Sequence, residues 1–269
     1  MPFASRPFSV ISLFCGAGGL DLGFEAAGFE TRVAVEMDPD AVATVRHNRA
    51  WPLVAHDIHS KEASSQSLLK KAGLRQGDAD MLIGGPPCQP FSKSGYWASG
   101  DARRLADPRA STLAAYLRVL RDTLPKAFLL ENVPGIAFTS KDEGLAFLRT
   151  EIEKINLEVG CDYTFRSALL RAVEYGVPQD RHRVFIIGHR EGKEFSFPAP
   201  THGADTTADL VDSALQPVLT AWDAIGDLEH DDDRSLRVTG KWASLLPSIP
   251  EGLNYLHHTN RGNGLPLFG

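Results

Sequence analysis

Cys88 is placed to do chemistry. It lies in Gly84-Gly85-Pro86-Pro87-Cys88-Gln89-Pro90-Phe91-Ser92, directly after an apolar run, Ala79–Ile83, that reads as a buried strand. Two prolines before it fix φ at both positions and remove two backbone donors, so the thiol is carried on a stiff loop. In an open α/β sheet, ligands bind at the carboxyl ends of the strands, where this loop should lie. A lone cysteine can also be a small buried hydrophobe. The Pro-Pro context and the loop position favour a nucleophile at Cys88, whereas Cys15 and Cys161, in or beside predicted core strands, fit the buried role.

Other candidate groups fall at the same edge. Glu131 closes the run Phe128-Leu-Leu130, where a carboxyl either caps a loop or shares a proton with a heterocycle. Arg181 and Arg183 alternate just before the predicted strand Val184–Ile187, so both face one way. They either decorate an edge strand with charge or anchor a phosphate or a carbonyl oxygen. Gly16-Ala17-Gly18-Gly19 lies between a strand and a helix, where a nucleotide-like ligand can approach backbone. Asp21 holds the place of the third glycine in G-x-G-x-x-G, so the dinucleotide fingerprint is incomplete. Glu36, ending the second strand, can accept from ribose hydroxyls, and Asp57, ending the third, from an exocyclic amine. Together they point to an adenosine-containing cofactor, without separating NAD from S-adenosylmethionine.

The elements that must position these groups alternate regularly. Phe8–Phe14 reads as a strand, Leu20–Ala27 as a helix with Gly28 at its end, and Thr31–Val35 as a strand. Asp38-Pro39 supplies an N-cap and an N1 proline for a helix to about Arg46, and Leu53–Ala55 is a third strand. A helix over Ser64–Lys71 leads to Ala79–Ile83. Leu113, Tyr116, Leu117, Leu120 and Leu124 mark one helix face, Ala127–Leu130 a strand, and Leu145, Leu148, Ile152 and Ile155 a further helix. Tyr163–Leu170 and Val184–Ile187 follow as strands. This order predicts an α/β fold, a doubly wound, mostly parallel Rossmann-like sheet.

The composition is that of a globular protein, with 43% hydrophobic and 23% charged residues in 269. Three widely spaced cysteines form neither a disulfide framework nor a zinc-ligand set, so a cytoplasmic location and no metal are expected. The apolar start is too short to span a membrane. A net charge of −6 is unfavourable for binding nucleic acid, which is largely electrostatic, unless a basic patch or a further basic part compensates. Beyond about Pro198 periodicity weakens, and Asp227–Asp233 carries five acids in seven residues, the pattern of a solvated loop.

In order, Ser12-Leu-Phe-Cys-Gly-Ala-Gly-Gly19, Glu36-Met37, Asp57-Ile58, Gly85-Pro-Pro-Cys-Gln-Pro-Phe-Ser92, Leu130-Glu-Asn-Val-Pro-Gly135 and Tyr175-Gly-Val-Pro-Gln-Asp-Arg-His-Arg183 resemble the motifs of DNA cytosine-5 methyltransferases. The resemblance covers roughly the first two hundred residues. It implies a bacterial restriction-modification enzyme that methylates C5 of cytosine in double-stranded DNA, with the target base flipped into the pocket. By the same resemblance Cys88 attacks C6, Glu131 serves N3, Arg183 holds O2 and Arg181 helps position the ring. The implied cofactor is S-adenosylmethionine, leaving as S-adenosylhomocysteine. Gly16, Gly18 and Gly19 would hold it by their backbone, with Phe14 and Met37 against adenine, Glu36 on the ribose, Asp57 and Ile58 at the adenine edge, and Pro86 lining the pocket. Thr112 or Leu113 falls at another cofactor-proximal motif, depending on a one-residue shift.

The family's last two motifs are not found here, and its variable recognition region is expected only in part. The expected division is a catalytic domain over 1–230 and the start of a recognition region over 231–269. A truncated product or one half of a split enzyme, with a second polypeptide supplying the rest, follows from that reading. A tRNA cytosine-5 methyltransferase shares the catalytic motifs, and an inactive folded fragment shares the fold. An NAD-dependent oxidoreductase would leave Cys88, Glu131 and the arginines unexplained.

Overall fold

The computed structural model describes residues 6–87, 110–136, 143–203, 215–228, 237–240, 242–250, 252–260 and 262. The chain divides into two units, Met1–Thr220 and Ala221–Gly269. The boundary expected at 230 falls among residues outside this description.

The first unit is built on a seven-stranded sheet. Its strands are β1 (Phe8–Leu13), β2 (Phe29–Val35), β3 (Leu53–Val54), β4 (Met81–Gly84), β5 (Ala127–Asn132), β6 (Thr164–Arg171) and β7 (His182–His189), in the order β3-β2-β1-β4-β5-β7-β6. The pairs β1–β2, β1–β4, β2–β3 and β4–β5 are parallel, and β7 runs antiparallel to both β5 and β6. The strand order reverses between β1 and β4, which opens a crevice beyond their carboxyl ends.

The helices are α1 (Gly19–Ala26), α2 (Pro39–Asn48), α3 (Ser65–Ala72), α4 (Ala110–Thr123) and α5 (Glu143–Val159). Alternation along the strands assigns the two faces. Ile11, Leu13, Val33, Val35, Leu82, Phe128, Leu130, Val184 and Ile186 join one core with Leu68 of α3, Leu113, Tyr116, Leu117 and Leu120 of α4, and Leu148, Ile152 and Ile155 of α5. On the other face Val10, Ile83 and Leu129 meet Leu20 and Phe24 of α1, and Ala34 meets Val45 of α2. Burial on both faces explains why these strands read as near-continuous apolar runs.

Local signals act as their chemistry requires. The Asp38 carboxylate accepts from the Asp40 and Ala41 amides at 3.0 and 2.9 Å and Pro39 opens α2. Gly73 closes α3 with φ 66°. Two boundaries differ from expectation. β5 continues through Glu131 and Asn132, because these pair with Phe185 and Val184 of β7. Leu124 leaves α4 with φ 46°, yet still packs on the core.

Among its described residues the second unit holds α6 (Ala221–Ile225) and short 3-10 turns at Gly226–Leu228, Ala243–Ser248 and Tyr255–His258. Trp222, Ile225 and Leu228 are exposed there. Among the described residues no helix is long and apolar enough to cross a membrane.

Candidate active site

Beyond β1 the chain turns sharply. Phe14 has φ 55°, a conformation costly for an aromatic residue, and Gly16 and Gly18 follow at φ 55° and 88°. The turn is fixed from the residue just after β2, where Glu36 Oε2 accepts from the Gly16 amide at 2.8 Å. Its Oε1 accepts from the Met37 and Asp38 amides at 2.8 and 2.9 Å. A carboxylate has about four acceptor positions, so Glu36 keeps room for one more donor, on Oε2. One ribose hydroxyl fits that capacity better than two. Asp57, beyond β3, accepts on Oδ1 from the His59 amide at 2.7 Å.

Phe14, Glu36, Met37, Asp57 and Ile58 line one cavity of about 440 Å³ together with Gly85, Pro87 and Thr112. It is bounded by aromatic and aliphatic surface, and two carboxylates from successive strand ends face it. That donor set suits an uncharged heterocycle carrying hydroxyls and an amine. Gly16, Gly18, Gly19 and Pro86 do not line it. Gly16 acts on it through Glu36, and Gly19 lines a neighbouring cavity.

That second cavity, about 520 Å³, is lined by Ser12, Phe14, Asp21, Gly85, Glu131, Arg181 and Phe185 among others. Glu131 and Phe185 are paired across β5 and β7, and Arg183, two residues along β7, projects to the same face. Its Nε lies 2.7 Å from Glu131 Oε1, with both side chains about three-quarters buried. Arg183 Nη1 also donates to the His182 carbonyl at 2.8 Å. Three of its five N–H groups remain for a ligand. Arg181 precedes β7, and the Arg171–Asp180 pair, with contacts of 2.7 and 2.9 Å, ties its loop to β6.

The β4 segment approaches this pair closely. A Cβ on Gly84 would lie 2.7 Å from the Leu13 carbonyl oxygen and 3.2 Å from the Tyr116 ring. A Cβ on Gly85 would lie 3.0 Å from Glu131 Oε2. Two glycines in succession therefore let the backbone pass between β1 and the Glu131 carboxylate. Pro86 is buried, and its carbonyl accepts from Asn132 Nδ2 at 3.2 Å. The Pro87 carbonyl accepts from Thr112 Oγ1 at 3.2 Å. Cys88, the next residue, lies outside the described residues.

Asn132 gave no signal in the sequence as an anchor of this segment, and Thr112 stood only as one of two alternatives at a motif. In the sequence Asp21 stands only where a third glycine would complete G-x-G-x-x-G. It is fully buried, and accepts from Ser12 Oγ at 2.9 Å and Thr31 Oγ1 at 3.2 Å. Burial pushes its carboxyl up to about 6. Burial, with the charges of Asp21 and Glu36, also pushes the Cys15 thiol up to about 12, which leaves it no nucleophilic thiolate at neutral pH. Among the described residues no group of three or more His, Cys, Asp or Glu side chains could hold a metal ion.

A reversing strand order with its crevice at β1 and β4, and an antiparallel β7 next to β5, define a Rossmann-like methyltransferase sheet. The fold matches, with a TM-score of 0.57 and 28% identity, a crystal structure of an E. coli prophage-encoded protein described as a DNA modification methyltransferase, over 81% of this chain and 54% of that one. The model of the C-5 cytosine-specific DNA methylase family matches residues 8–250, and the chain belongs to that family. The type II methyltransferase M.SacI of Streptomyces achromogenes is 39% identical over 269 residues, which cover 95% of this chain and 67% of that protein. M.AquIA of Picosynechococcus sp. is 44% identical over 225 residues, covering 81% of this chain and 88% of that protein.

Proposed function

We propose that this chain methylates C5 of cytosine in double-stranded DNA through a covalent adduct between Cys88 and C6 of a flipped base. The observation that carries the reading is the Glu131–Arg183 pair, 2.7 Å apart, beside the segment that delivers Cys88. N3 and O2 of cytosine are neighbours, separated by one carbon. A carboxyl serving N3 and a guanidinium donating to O2 must therefore themselves be neighbours, and here they are. Arg183 can donate to O2 while its Nε still holds Glu131 in place.

S-adenosylmethionine, bound in the cavity of Phe14, Glu36, Met37, Asp57 and Ile58, supplies an electrophilic methyl group on a sulfonium. The chain's own residues make C5 able to accept it. The Cys88 thiolate forms a bond to C6, and the C5–C6 π electrons shift to C5. Glu131 shares a proton with N3 and Arg183 donates to O2, which neutralises the negative charge the ring gains. After methylation the C5 proton leaves to a base, the C5–C6 double bond reforms and the thiolate is expelled. Asn132 and Thr112, through the Pro86 and Pro87 carbonyls, hold the segment from which Cys88 extends.

The net charge of −6 does not supply the cationic surface that duplex DNA requires. We infer that a second polypeptide completes recognition. In support, M.AquIA is matched over 88% of its length, whereas about a third of M.SacI's length lies outside its match. A cytoplasmic site of action on bacterial DNA fits the restriction-modification reading. The test is incubation with S-adenosylmethionine and duplex DNA carrying 5-fluorocytosine, with and without a second polypeptide carrying the family's recognition region and last two motifs. A C5 fluorine cannot leave as a proton does, so the complete system should accumulate a denaturation-resistant DNA adduct, and Cys88→Ala should abolish it. An adduct that survives Cys88→Ala refutes the nucleophile. Methyl transfer to tRNA but not to duplex DNA refutes the substrate.

A further inference from the structure

The turn that carries Phe14 and Gly16 is held by Glu36 just beyond β2, and a second group, Trp51, holds it at Gly18. Gly18, at φ 88°, lies under the indole of Trp51: a Cβ there would meet two carbons of the six-membered ring at 2.8 Å. Trp51 follows α2, lines neither cavity and packs in the cluster of Cys15, Ala34 and Val45. Its Nε1–H donates to Glu25 Oε1 at 2.6 Å. Arg49 Nε donates to Glu25 Oε2 at 2.9 Å, and the Arg49 guanidinium stands 6.0 Å from the indole centre. Glu25 is in the last turn of α1. The segment 49–51 thus grips the loop–helix unit at both ends, the glycine turn through the Trp51 ring and the far end of α1 through Glu25.

We propose that Trp51, oriented by Glu25, is a positioning residue for cofactor binding. It holds Gly18 in its left-handed conformation and thereby sets the Gly16 amide against Glu36 and the Phe14 ring against the cavity. A second charged brace fits the mechanics of the site. The α1 N-terminal turn has no side-chain cap on Gly18, so the position of the turn depends on contacts from outside it. A ring that fills the space above a glycine restricts the turn without contacting ligand. The inference rests on the S-adenosylmethionine reading above, and its test separates the two.

Calorimetric titration of the full chain with S-adenosylhomocysteine gives a Kd, and a thermal scan of the same samples gives Tm. Trp51→Phe shortens the ring and removes the N–H, and Glu25→Ala leaves the ring but removes its anchor. Each should weaken binding about tenfold, the scale of one charge-assisted hydrogen bond. Glu25→Gln keeps an acceptor for the indole and should stay within about twofold of the original Kd. A merely structural role would lower Tm and leave Kd unmoved. Glu25 is partly exposed, so its variant supplies the reading if Trp51→Phe does not fold. Unchanged Kd in both Trp51→Phe and Glu25→Ala overturns the proposal. An unmodified chain that binds no S-adenosylhomocysteine overturns instead the cofactor reading, and this inference with it.

Discussion

Replacing Asp21 by Asn should make the stability of this protein depend less on pH. Asp21 is fully buried between β1, β2 and the first turn of α1, with hydrogen bonds from Ser12 and Thr31 and, among the described residues, no salt bridge. Burial raises its carboxyl from the ordinary 3.8 to about 6, against the opposing effect of those hydroxyls. The folded state then holds the proton more tightly than the unfolded chain. Below about pH 4 both states are protonated and the group costs nothing. As pH rises from about 4 to about 6, the unfolded chain ionises first, so stability falls, and above about 6 the loss is complete. The full loss is about 3 kcal/mol, from roughly two pK steps of about 1.4 kcal/mol each, and about half of it falls between pH 5 and 7.5. An Asn side chain can accept from one hydroxyl and donate to the other, so it keeps the contacts without the charge. The assay is thermal unfolding of both proteins at half-unit steps across that range. Shared titrations cancel in the difference, so Asp21→Asn should gain about 3–6 °C on the original chain between pH 5 and 7.5. A difference that is flat with pH would refute the claim that a buried, unpaired carboxylate ionises at this position.

Adjacent glycines should separate stability from chemistry. Gly84→Ala drives a methyl group into the Leu13 carbonyl at 2.7 Å, backbone that cannot yield, and should lower stability by about 1–3 kcal/mol in a denaturant melt. Gly85→Ala meets only the end of the Glu131 side chain at 3.0 Å, so it should leave the melt nearly unchanged while methyl transfer falls as Glu131 is displaced. Asn132→Ala frees the Pro86 carbonyl and with it the segment before Cys88. Single-turnover methylation in the complete system should slow by about 10²-fold, the scale of a 1 Å misplacement of a reacting group.

Most of the sheet was legible because its signals are local. Apolar runs, the Asp38-Pro39 start and the turn glycines act within a few residues of themselves. The carboxyl-edge placement of Glu36, Asp57 and Glu131 followed from strand ends alone. What escaped were side chains whose partners lie far along the chain. Asn132 meets Pro86 across 46 positions, and Trp51 meets Glu25 across 26. Neither pair creates a periodicity. Asp21 escaped for a different reason. A carboxylate in the first turn of a helix is ordinary at a surface, and only the packing of Ser12 and Thr31 around it shows that this one is buried. Pro86, expected to line the cofactor cavity, is instead buried, and its carbonyl takes its donor from Asn132.

The direction of one strand decides whether the site exists at all. Glu131 and the Gly84–Pro87 segment lie at the carboxyl ends of parallel strands, but Arg183 lies at the beginning of β7 and Arg181 just before it. In a wholly parallel sheet the start of β7 would be at the far edge, separated from Glu131 by the length of the strand, roughly 26 Å for eight residues. Because β7 is antiparallel to β5, its first residues fall beside the last of β5, in the register Glu131↔Phe185 and Asn132↔Val184. Two-residue alternation then puts Arg183 and Arg181 on the Glu131 face, while the alternate residues Val184 and Ile186 go to the core. The same reversal that breaks the parallel pattern thus supplies the only cations seen beside Glu131 among the described residues, and it does so from β7, whose alternate residues anchor the core.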